Sequence, residues 1–287
     1  MAAKKTSKRS KRGPAANRFV LNCVKSKEAE DDWTFGDAVT AEFLECTHAP
    51  PDSVDLREDW WLVRDQKSSG ACVGFATADG VLRWHYTKER MINEGEEVSP
   101  RFIWMANKET DDFTRYPTSF LDSAGTSTKL ALKVAKKYGC VLESMLPMEG
   151  RLSRMPPRAF FSVASQYRIN AYYNLLNEPG CPILRLKHWI AHHGPVLTRL
   201  DVDEAFRYAQ RTDGHLEHYN AKEGAQLGGH AVCLVGYTPD YLILRNSWGD
   251  RWGDNGFAYV HYAYFEAAFD EAYGAILNRR DLIVPDH

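Results

Sequence analysis

The hydrophobic pattern of this 287-residue chain changes its period near the middle. In the first half, apolar residues over 75–86 recur every three or four positions, which is the spacing of an amphipathic helix. A second helix is predicted between Gly125 and Gly139, with hydroxyl side chains near its start and lysines near its end. A third helix is predicted over 182–193, before a Gly-Pro pair.

Short apolar or alternating runs then replace the helical spacing, and this pattern predicts β-strands. Phe265, Phe269 and Tyr273 continue at a four-residue spacing and predict a final helical turn or two. Helices and strands in separate halves indicate an α+β fold, and the cleft between the halves is the expected functional site. The runs that predict strands are 196–202, 231–237, 241–245 and 256–262.

The charge distribution excludes several classes of protein. Six of the 36 basic side chains lie within residues 1–13, so the rest of the chain has 30 basic against 38 acidic residues. An acidic body argues against nucleic acid as a partner. No apolar stretch approaches the roughly 20 residues that a membrane-spanning helix needs. We expect a disordered basic tail over 1–17, for which an anchor to an anionic surface or to nucleic acid is the alternative.

Three further parts are expected after this tail. An N-terminal extension over 18–51 ends at an Ala-Pro-Pro turn, and a mainly helical part over 52–150 precedes a mainly β part over 151–287. The basic tail lacks the apolar region of a signal peptide, and six cysteines form no Cys-x-x-Cys pair or zinc-type spacing. These features predict no metal, reduced thiols and a cytoplasmic location, with signal-independent export left open.

One cysteine occupies a position suited to nucleophilic chemistry. Cys72 lies at the predicted start of the first helix, where the helix dipole stabilises a thiolate, the nucleophilic form. Gln66 precedes it by six residues, and its amide together with the Cys72 backbone N–H can form an oxyanion hole. The alternative role of Cys72 is a small buried apolar side chain. The remaining cysteines are interpreted as structural thiols: Cys23, Cys46, Cys140, Cys181 and Cys233.

A histidine and an asparagine can complete this site through a β-hairpin. His230 opens a predicted strand behind two glycines, and the next strand leads to Asn246. A hairpin centred on Pro239 places Val232 opposite Asn246, so that Asn246 is a diagonal neighbour of His230 on one face. The amide then orients the imidazole for proton transfer, and Trp248 covers the pair and excludes water. A register slip of one residue would send Asn246 to the other face.

These motifs resemble those of the papain-like cysteine peptidases, in particular their compact bacterial branch. The matching residues follow the family's order, which is Gln66, Cys72, Gly-His-Ala at 229–231 and Asn-Ser-Trp-Gly at 246–249. The resemblance covers about residues 52–275. It implies a two-lobed fold, with the cysteine on a helical lobe and the histidine and asparagine on a β-barrel-like lobe. It also implies hydrolysis of peptide bonds through an acyl-enzyme.

The resemblance implies a peptide or protein substrate and no cofactor. Gly125 resembles the family's glycine that pairs with an extended substrate backbone. Val196 and Ala231 resemble walls of the pocket for the second residue before the scissile bond. Trp248 resembles the aromatic residue on the leaving-group side.

The sequence departs from the family pattern near the nucleophile. Ser69 stands where most members have a disulfide-bonded cysteine, and Val73 stands where an aromatic residue usually follows the nucleophile. About 50 residues precede the resemblance, too few for the family's long inhibitory pro-region, so control by its removal is not expected. Two alternatives remain: a catalytically silent peptide-binding module on the same fold, and an enzyme that transfers the acyl group to an amine or cleaves isopeptide bonds.

Overall fold

The computed structural model describes residues 19–44, 48–110, 125–149, 155–220, 222 and 224–277. The predicted basic tail and Cys46 lie outside these ranges. A π-helical segment, Ala76–Leu82, joins α2 to α3 into one helix that runs from Cys72 to Lys88. The α-helices of the described residues are α1 (Phe35–Thr40), α2 (Cys72–Phe75), α3 (Arg83–Lys88), α4 (Pro100–Thr110), α5 (Thr128–Lys137), α6 (Pro157–Ala164), α7 (Pro182–His193), α8 (Glu204–Arg207) and α9 (Tyr262–Ala268).

The strands of the described residues form one eight-stranded sheet. Its order is β2-β8-β3-β5-β6-β7-β4, and β1 pairs with β5 beside this path. Neighbouring strands are antiparallel except for the parallel pair of β4 with β7. The strands are β1 (Val54–Asp55), β2 (Ile169–Asn174), β3 (Val196–Val202), β4 (His215–Leu216), β5 (Gly228–Tyr237), β6 (Tyr241–Arg245), β7 (Phe257–His261) and β8 (Phe269–Leu277).

This architecture confirms the predicted α+β class and corrects one part of it. The sheet is open, because its outer strands β2 and β4 do not pair with each other in the described structure. Closure into a barrel requires a continuous, staggered set of strand pairs, and the two residues of β4 offer little edge for pairing. The expectation of a β-barrel-like lobe was therefore wrong.

Three predicted elements have the predicted bounds, others differ from them by a few residues, and the last is partly of the wrong type. The helix over 182–193 and the strands over 196–202 and 241–245 are observed as α7, β3 and β6. The final helix ends at Ala268, and Phe269 and Tyr273 belong to β8. A spacing of four residues places two side chains on one face of a strand as well as of a helix, so this spacing alone could not distinguish them.

The sheet separates two clusters of buried apolar side chains, as alternation along β5 shows. Ala231, Cys233 and Val235 belong to the first core, which also contains Cys72 and the buried side chains of α5. Val232 and Leu234 belong to the second core, which is built around α7 and α9. Because successive strand residues point to opposite faces, one strand contributes to both cores. His230 has the parity of Val232 and Leu234, and it lies near the start of the strand, where its imidazole interacts with Cys72.

Candidate active site

Cys72 is the first residue of α2, and its side chain is fully buried. Its sulfur interacts with the Cys23 thiol, the His230 imidazole and the Ala231 backbone N–H. These contacts, the hydrogen bond from Cys23 foremost, hold the pKa of Cys72 well below its ordinary value near 9.0, although burial alone would raise it. The surroundings of Cys72 therefore favour the thiolate, which is the nucleophilic form.

His230 and Asn246 are joined by a buried hydrogen bond. The imidazole Nε2 lies 2.8 Å from the Asn246 Oδ1, which also accepts the backbone N–H of Ser247 at 2.8 Å. With its Oδ1 as acceptor, Asn246 requires Nε2 to carry the proton in the neutral imidazole. His230 Nδ1 is buried and has no hydrogen-bond partner among the described residues. Nδ1 is thus the ring nitrogen that can exchange a proton with Cys72.

The hairpin that connects these residues has the predicted register at its inner end. Cys233 pairs with Arg245 and Leu234 with Leu244, which places position 232 opposite position 246. The pairing shifts by one residue between Leu234 and Gly236, closer to the turn. The predicted diagonal relation of His230 and Asn246 is therefore confirmed.

Aromatic rings cover the hydrogen bond between His230 and Asn246. The Trp248 ring lies with its centroid 4.7 Å from that of His230, at an interplanar angle of 34°. Phe206 meets Trp248 edge-on at 5.4 Å and His230 at 5.8 Å. Excluding water around a hydrogen bond lowers the local dielectric and strengthens it. The structure thus places Trp248 over the pair, as the sequence predicted.

Gln66 is hydrogen-bonded to Ser247, the residue after Asn246, and to Ser69. Its backbone N–H donates to the Ser247 carbonyl at 2.8 Å, and the Ser247 hydroxyl donates to its Oε1 at 2.7 Å. Its Nε2 donates to the Ser69 carbonyl at 2.9 Å. Because an amide nitrogen has two N–H groups, this arrangement leaves Gln66 one further donor.

A buried ion pair ties Asn246 to the helix that begins at Cys72. Arg245, the residue before Asn246, donates to Asp79 Oδ2 at 2.6 Å and to the Trp61 carbonyl at 2.7 Å. Asp79 belongs to the π-helical segment of that helix. Removing one partner of such a buried pair typically costs about 3–5 kcal/mol. The pair therefore fixes the strand that ends at Asn246 relative to Cys72.

Residues 19–27, here called the cleft segment, pass directly over Cys72. The backbone N–H of Cys23 donates to the Gly229 carbonyl at 3.0 Å, and that of Val24 donates to the Thr126 carbonyl at 3.0 Å. A Cβ at Gly125 would lie 2.5 Å from the Asn22 carbonyl oxygen. The segment thus pairs with backbone on both sides of the cleft, in close contact with Gly125.

Side chains anchor both ends of the cleft segment. At one end, the Phe19 ring stacks on Trp248 with centroids 4.0 Å apart and planes within 6°. At the other end, the Ser26 hydroxyl donates to Glu271 Oε2 at 2.6 Å. Between them, Arg199 Nε donates to the Cys23 carbonyl at 3.2 Å. The segment therefore occupies the place where an extended chain would meet Cys72.

The structure brings together most of the residues that the sequence singled out. Gly125 faces the cleft segment, and Ala231 contacts Cys72 through its backbone N–H. Val196 lies elsewhere: it is fully buried in the second core and pairs with Leu234. That position is four residues along β5 from His230, or about 13 Å. The geometry does not support Val196 as a wall of the cleft.

Sequence reasoning missed the cleft segment and with it the role of Cys23. Cys23 was interpreted as a structural thiol, yet its side chain interacts electrostatically with Cys72. No motif or spacing in residues 18–51 marks this contact, because it depends on how the extension folds back over the cleft. Within the described ranges, no group of His, Cys, Asp and Glu side chains is arranged to hold a metal ion. In that same part of the chain, no helix has the length and apolarity needed to span a membrane.

Comparisons with known proteins agree with this geometry. Residues 50–268 match the model of the family described as papain family cysteine protease. The viral cathepsin of Epiphyas postvittana nucleopolyhedrovirus is 28% identical over 72% of this chain, and the cathepsin J of Mus musculus is 26% identical over 73%. Each match spans 60% of the length of that relative.

A solved structure has the same fold. Xylellain, a cysteine protease from Xylella fastidiosa, superposes with a TM-score of 0.70 at 21% identity, covering 93% of this chain and all of that one. At this identity the likeness concerns the fold alone. The family match over residues 50–268 establishes that this chain belongs to the papain family of cysteine proteases.

Proposed function

We propose that this protein is a cysteine peptidase that hydrolyses peptide bonds of a peptide or protein substrate. The observation that carries the proposal is the buried series Cys72, His230 and Asn246. In this series the imidazole is bound to the asparagine at 2.8 Å and stabilises the thiolate. A thiolate with an oriented imidazole beside it is the arrangement that nucleophilic acyl transfer requires.

Each residue then has a chemical task. The Cys72 thiolate attacks the carbonyl carbon, and His230 holds the thiol proton on Nδ1 and gives it to the leaving amine. Asn246 keeps the imidazole oriented through Nε2. The free N–H of Gln66 and the backbone N–H of Cys72 stabilise the oxyanion. Water, deprotonated by His230, releases the acyl group and regenerates the thiol.

The cleft segment supports a model for substrate binding. It is an extended chain that pairs with backbone at Gly229 and Thr126 and passes close to Gly125. A substrate in the same groove would use the same backbone groups, with Trp248 beside the leaving group. Substrate and cleft segment exclude each other, so we propose that the enzyme acts only in an open form, from which the segment is displaced.

The division of the chain and its location complete the proposal. Residues 52–150 supply the nucleophile, residues 151–287 supply the histidine and asparagine, and residues 18–51 control access. Reduced thiols support a cytoplasmic location. The cysteines at 23, 72, 140, 181 and 233 are free thiols.

Hydrolysis of an unfolded protein such as reduced casein tests this function. We expect peptides to accumulate with the wild-type chain under reducing conditions, and Cys72→Ala to abolish their release. Cys140→Ala is the matched control, because Cys140 is equally buried and its thiol donates to the backbone carbonyls of Ser99 and Val141. Full hydrolysis by Cys72→Ala would contradict the proposal. Adding a primary amine and weighing the products distinguishes hydrolysis from acyl transfer, because transfer adds the mass of the amine.

A further inference from the structure

The side chains of Cys23 and Cys72 are both buried in the first core, and their sulfurs interact electrostatically. The Cys23 sulfur also lies 3.9 Å from the Val24 carbonyl oxygen. The position of Cys23 is fixed by hydrogen bonds on both sides of the residue. Its N–H is bound to the Gly229 carbonyl at 3.0 Å, and its carbonyl accepts Arg199 Nε at 3.2 Å. The backbone at Cys23 is therefore held in register with the active site, and a disulfide requires the two sulfurs to approach to about 2.05 Å.

The other described cysteines lack this relation. Cys140 is buried and lies against the carbonyls of Ser99 and Val141. Cys233 is buried and lies against the carbonyl of Arg245, while Cys181 is exposed. Neither Cys140 nor Cys233 contacts a second thiol. Any chemistry between two thiols in the described structure is thus expected at Cys23 and Cys72.

The two thiols have complementary proton states. The pKa of Cys72 lies well below its ordinary value, and that of Cys23 lies well above it, chiefly because Cys23 donates its proton to Cys72. Cys72 is therefore the sulfur that reacts first with an oxidant, since the thiolate is the reactive form. Cys23 stays protonated until the negative charge on Cys72 is removed.

We infer that Cys23 is the resolving thiol of Cys72: a hydroperoxide oxidises Cys72 to a sulfenic acid, and Cys23 converts it to a 23–72 disulfide that fixes the cleft segment in place. The disulfide is a modification site of the active centre. Its regulatory consequence rests on the proposed peptidase function, whereas the bond itself does not.

The two steps balance. The Cys72 thiolate attacks one oxygen of hydrogen peroxide, the O–O bond breaks, and the sulfur, oxidised by two electrons, becomes S–OH while hydroxide leaves and takes up a proton. With the charge on Cys72 gone, Cys23 gives its proton to His230, and its thiolate attacks the Cys72 sulfur. The S–S bond forms as the S–O bond breaks, and the departing hydroxide takes the proton from His230 as water. Two thiols and one peroxide thus give one disulfide and two waters.

This bond has two consequences for the enzyme. It joins the nucleophile to the segment that covers it, so substrate cannot enter until a dithiol reduces it. It also stops oxidation at a reversible stage, because a sulfenic acid that meets no thiol proceeds to sulfinic acid. Peroxide reaches Cys72 when the cleft segment opens, and the return of the segment delivers Cys23.

The test treats the full-length protein with a small excess of hydrogen peroxide and measures intact mass, linked peptides and activity. We expect wild type to become about 2 Da lighter, to yield a peptide pair joined through Cys23 and Cys72, and to regain its activity with dithiothreitol. Cys23→Ser keeps a small hydrogen-bond donor but removes the thiol. It should become about 32 Da heavier at Cys72 and recover little of its activity. Cys181→Ser, which changes an exposed thiol, should behave as wild type.

Two results would overturn the inference. One is a wild-type protein that gains oxygen at Cys72 without a 23–72 peptide pair. The other is equal recovery by dithiothreitol in wild type and Cys23→Ser. The linked peptides can be identified whether or not the protein is an active peptidase. A wild-type protein that forms the 23–72 link but hydrolyses no peptide therefore refutes the proposed function and supports the disulfide.

Discussion

Cys72 and Cys140 are two cysteines in the same core, and they differ in the groups that surround their sulfur atoms. Both side chains are fully buried. The Cys140 sulfur lies 3.6 Å from the Ser99 carbonyl oxygen and 3.7 Å from that of Val141, and burial raises its pKa. Cys72 meets a thiol, an imidazole and a backbone N–H, and its pKa is lowered.

The difference shows that burial alone does not decide whether a cysteine is reactive. Burial disfavours the thiolate at both sites, because a charge loses its hydration. Hydrogen-bond donors that point at the sulfur reverse this effect at Cys72. At Cys140 the backbone contacts with Val141 and Ser99 also lower the pKa, but they do not offset the effect of burial. Reactivity in this core is therefore set by the groups that the hairpin and the cleft segment bring to Cys72.

Removing His230 should reduce this difference in pKa, while the contribution of the Cys23 thiol stays. In His230→Ala we expect the pKa of Cys72 to rise. The variant then loses, as the pH falls, the thiolate that wild type keeps below pH 9. Its alkylation by a neutral reagent therefore becomes slow near neutral pH. Loss of the proton donor and acceptor should lower kcat by about 10²- to 10⁴-fold. The rate of iodoacetamide labelling of Cys72 against pH, read by intact mass, measures the shift.

A second buried histidine provides the control for this variant. His188 is buried in α7 and contacts Phe35 and His192 rather than Cys72. His188→Ala should leave the pH profile of Cys72 labelling unchanged. The assignment of His230 would be wrong if both variants labelled with the wild-type profile.

Asn246→Ala should have a smaller effect, because it misorients the imidazole without removing it. We expect kcat to fall by about 10- to 100-fold with little change in KM. Asn246→Asp keeps an oxygen that accepts from His230 Nε2 and from the Ser247 N–H, so it should restore part of the loss. Steady-state kinetics of the two variants separate positioning from substrate binding. A kcat of wild-type size in Asn246→Ala would contradict this role.

The predicted strand pairing that brings His230 and Asn246 together is correct although the predicted turn register is not, because two shifts of one residue cancel. The predicted hairpin was centred on Pro239, but near the turn Tyr237 pairs with Leu242, one residue away from that register. A β-bulge between Leu234 and Gly236 then returns the pairing to the predicted register before it reaches the site. A bulge of this kind depends on local packing and leaves no signal in the pattern of apolar residues.

Local patterns also explain what was predictable in the fold and what was not. The bounds of α7 follow from Pro182 and the Gly-Pro pair after His193, which act within a few residues of the helix ends. The open edge of the sheet and the contact of Cys23 with Cys72 depend on segments far apart in sequence. Hydrophobic periodicity contains no information on such contacts. The helices were therefore easier to predict than the position of the cleft segment over the active site.

The smallest expected effect concerns the contact that holds the cleft segment over Cys72. Phe19→Ala removes a stack on Trp248 with a centroid distance of 4.0 Å. Such aromatic pairs contribute about 0.5–1.5 kcal/mol, so the open form, and with it Cys72 labelling and peptide hydrolysis, should increase about 2- to 10-fold. Phe161→Ala is the matched control, because Phe161 meets Phe102 edge-on and Tyr138 at a tilt rather than Trp248. An equal rate in wild type and Phe19→Ala would mean that the cleft segment opens without breaking this stack.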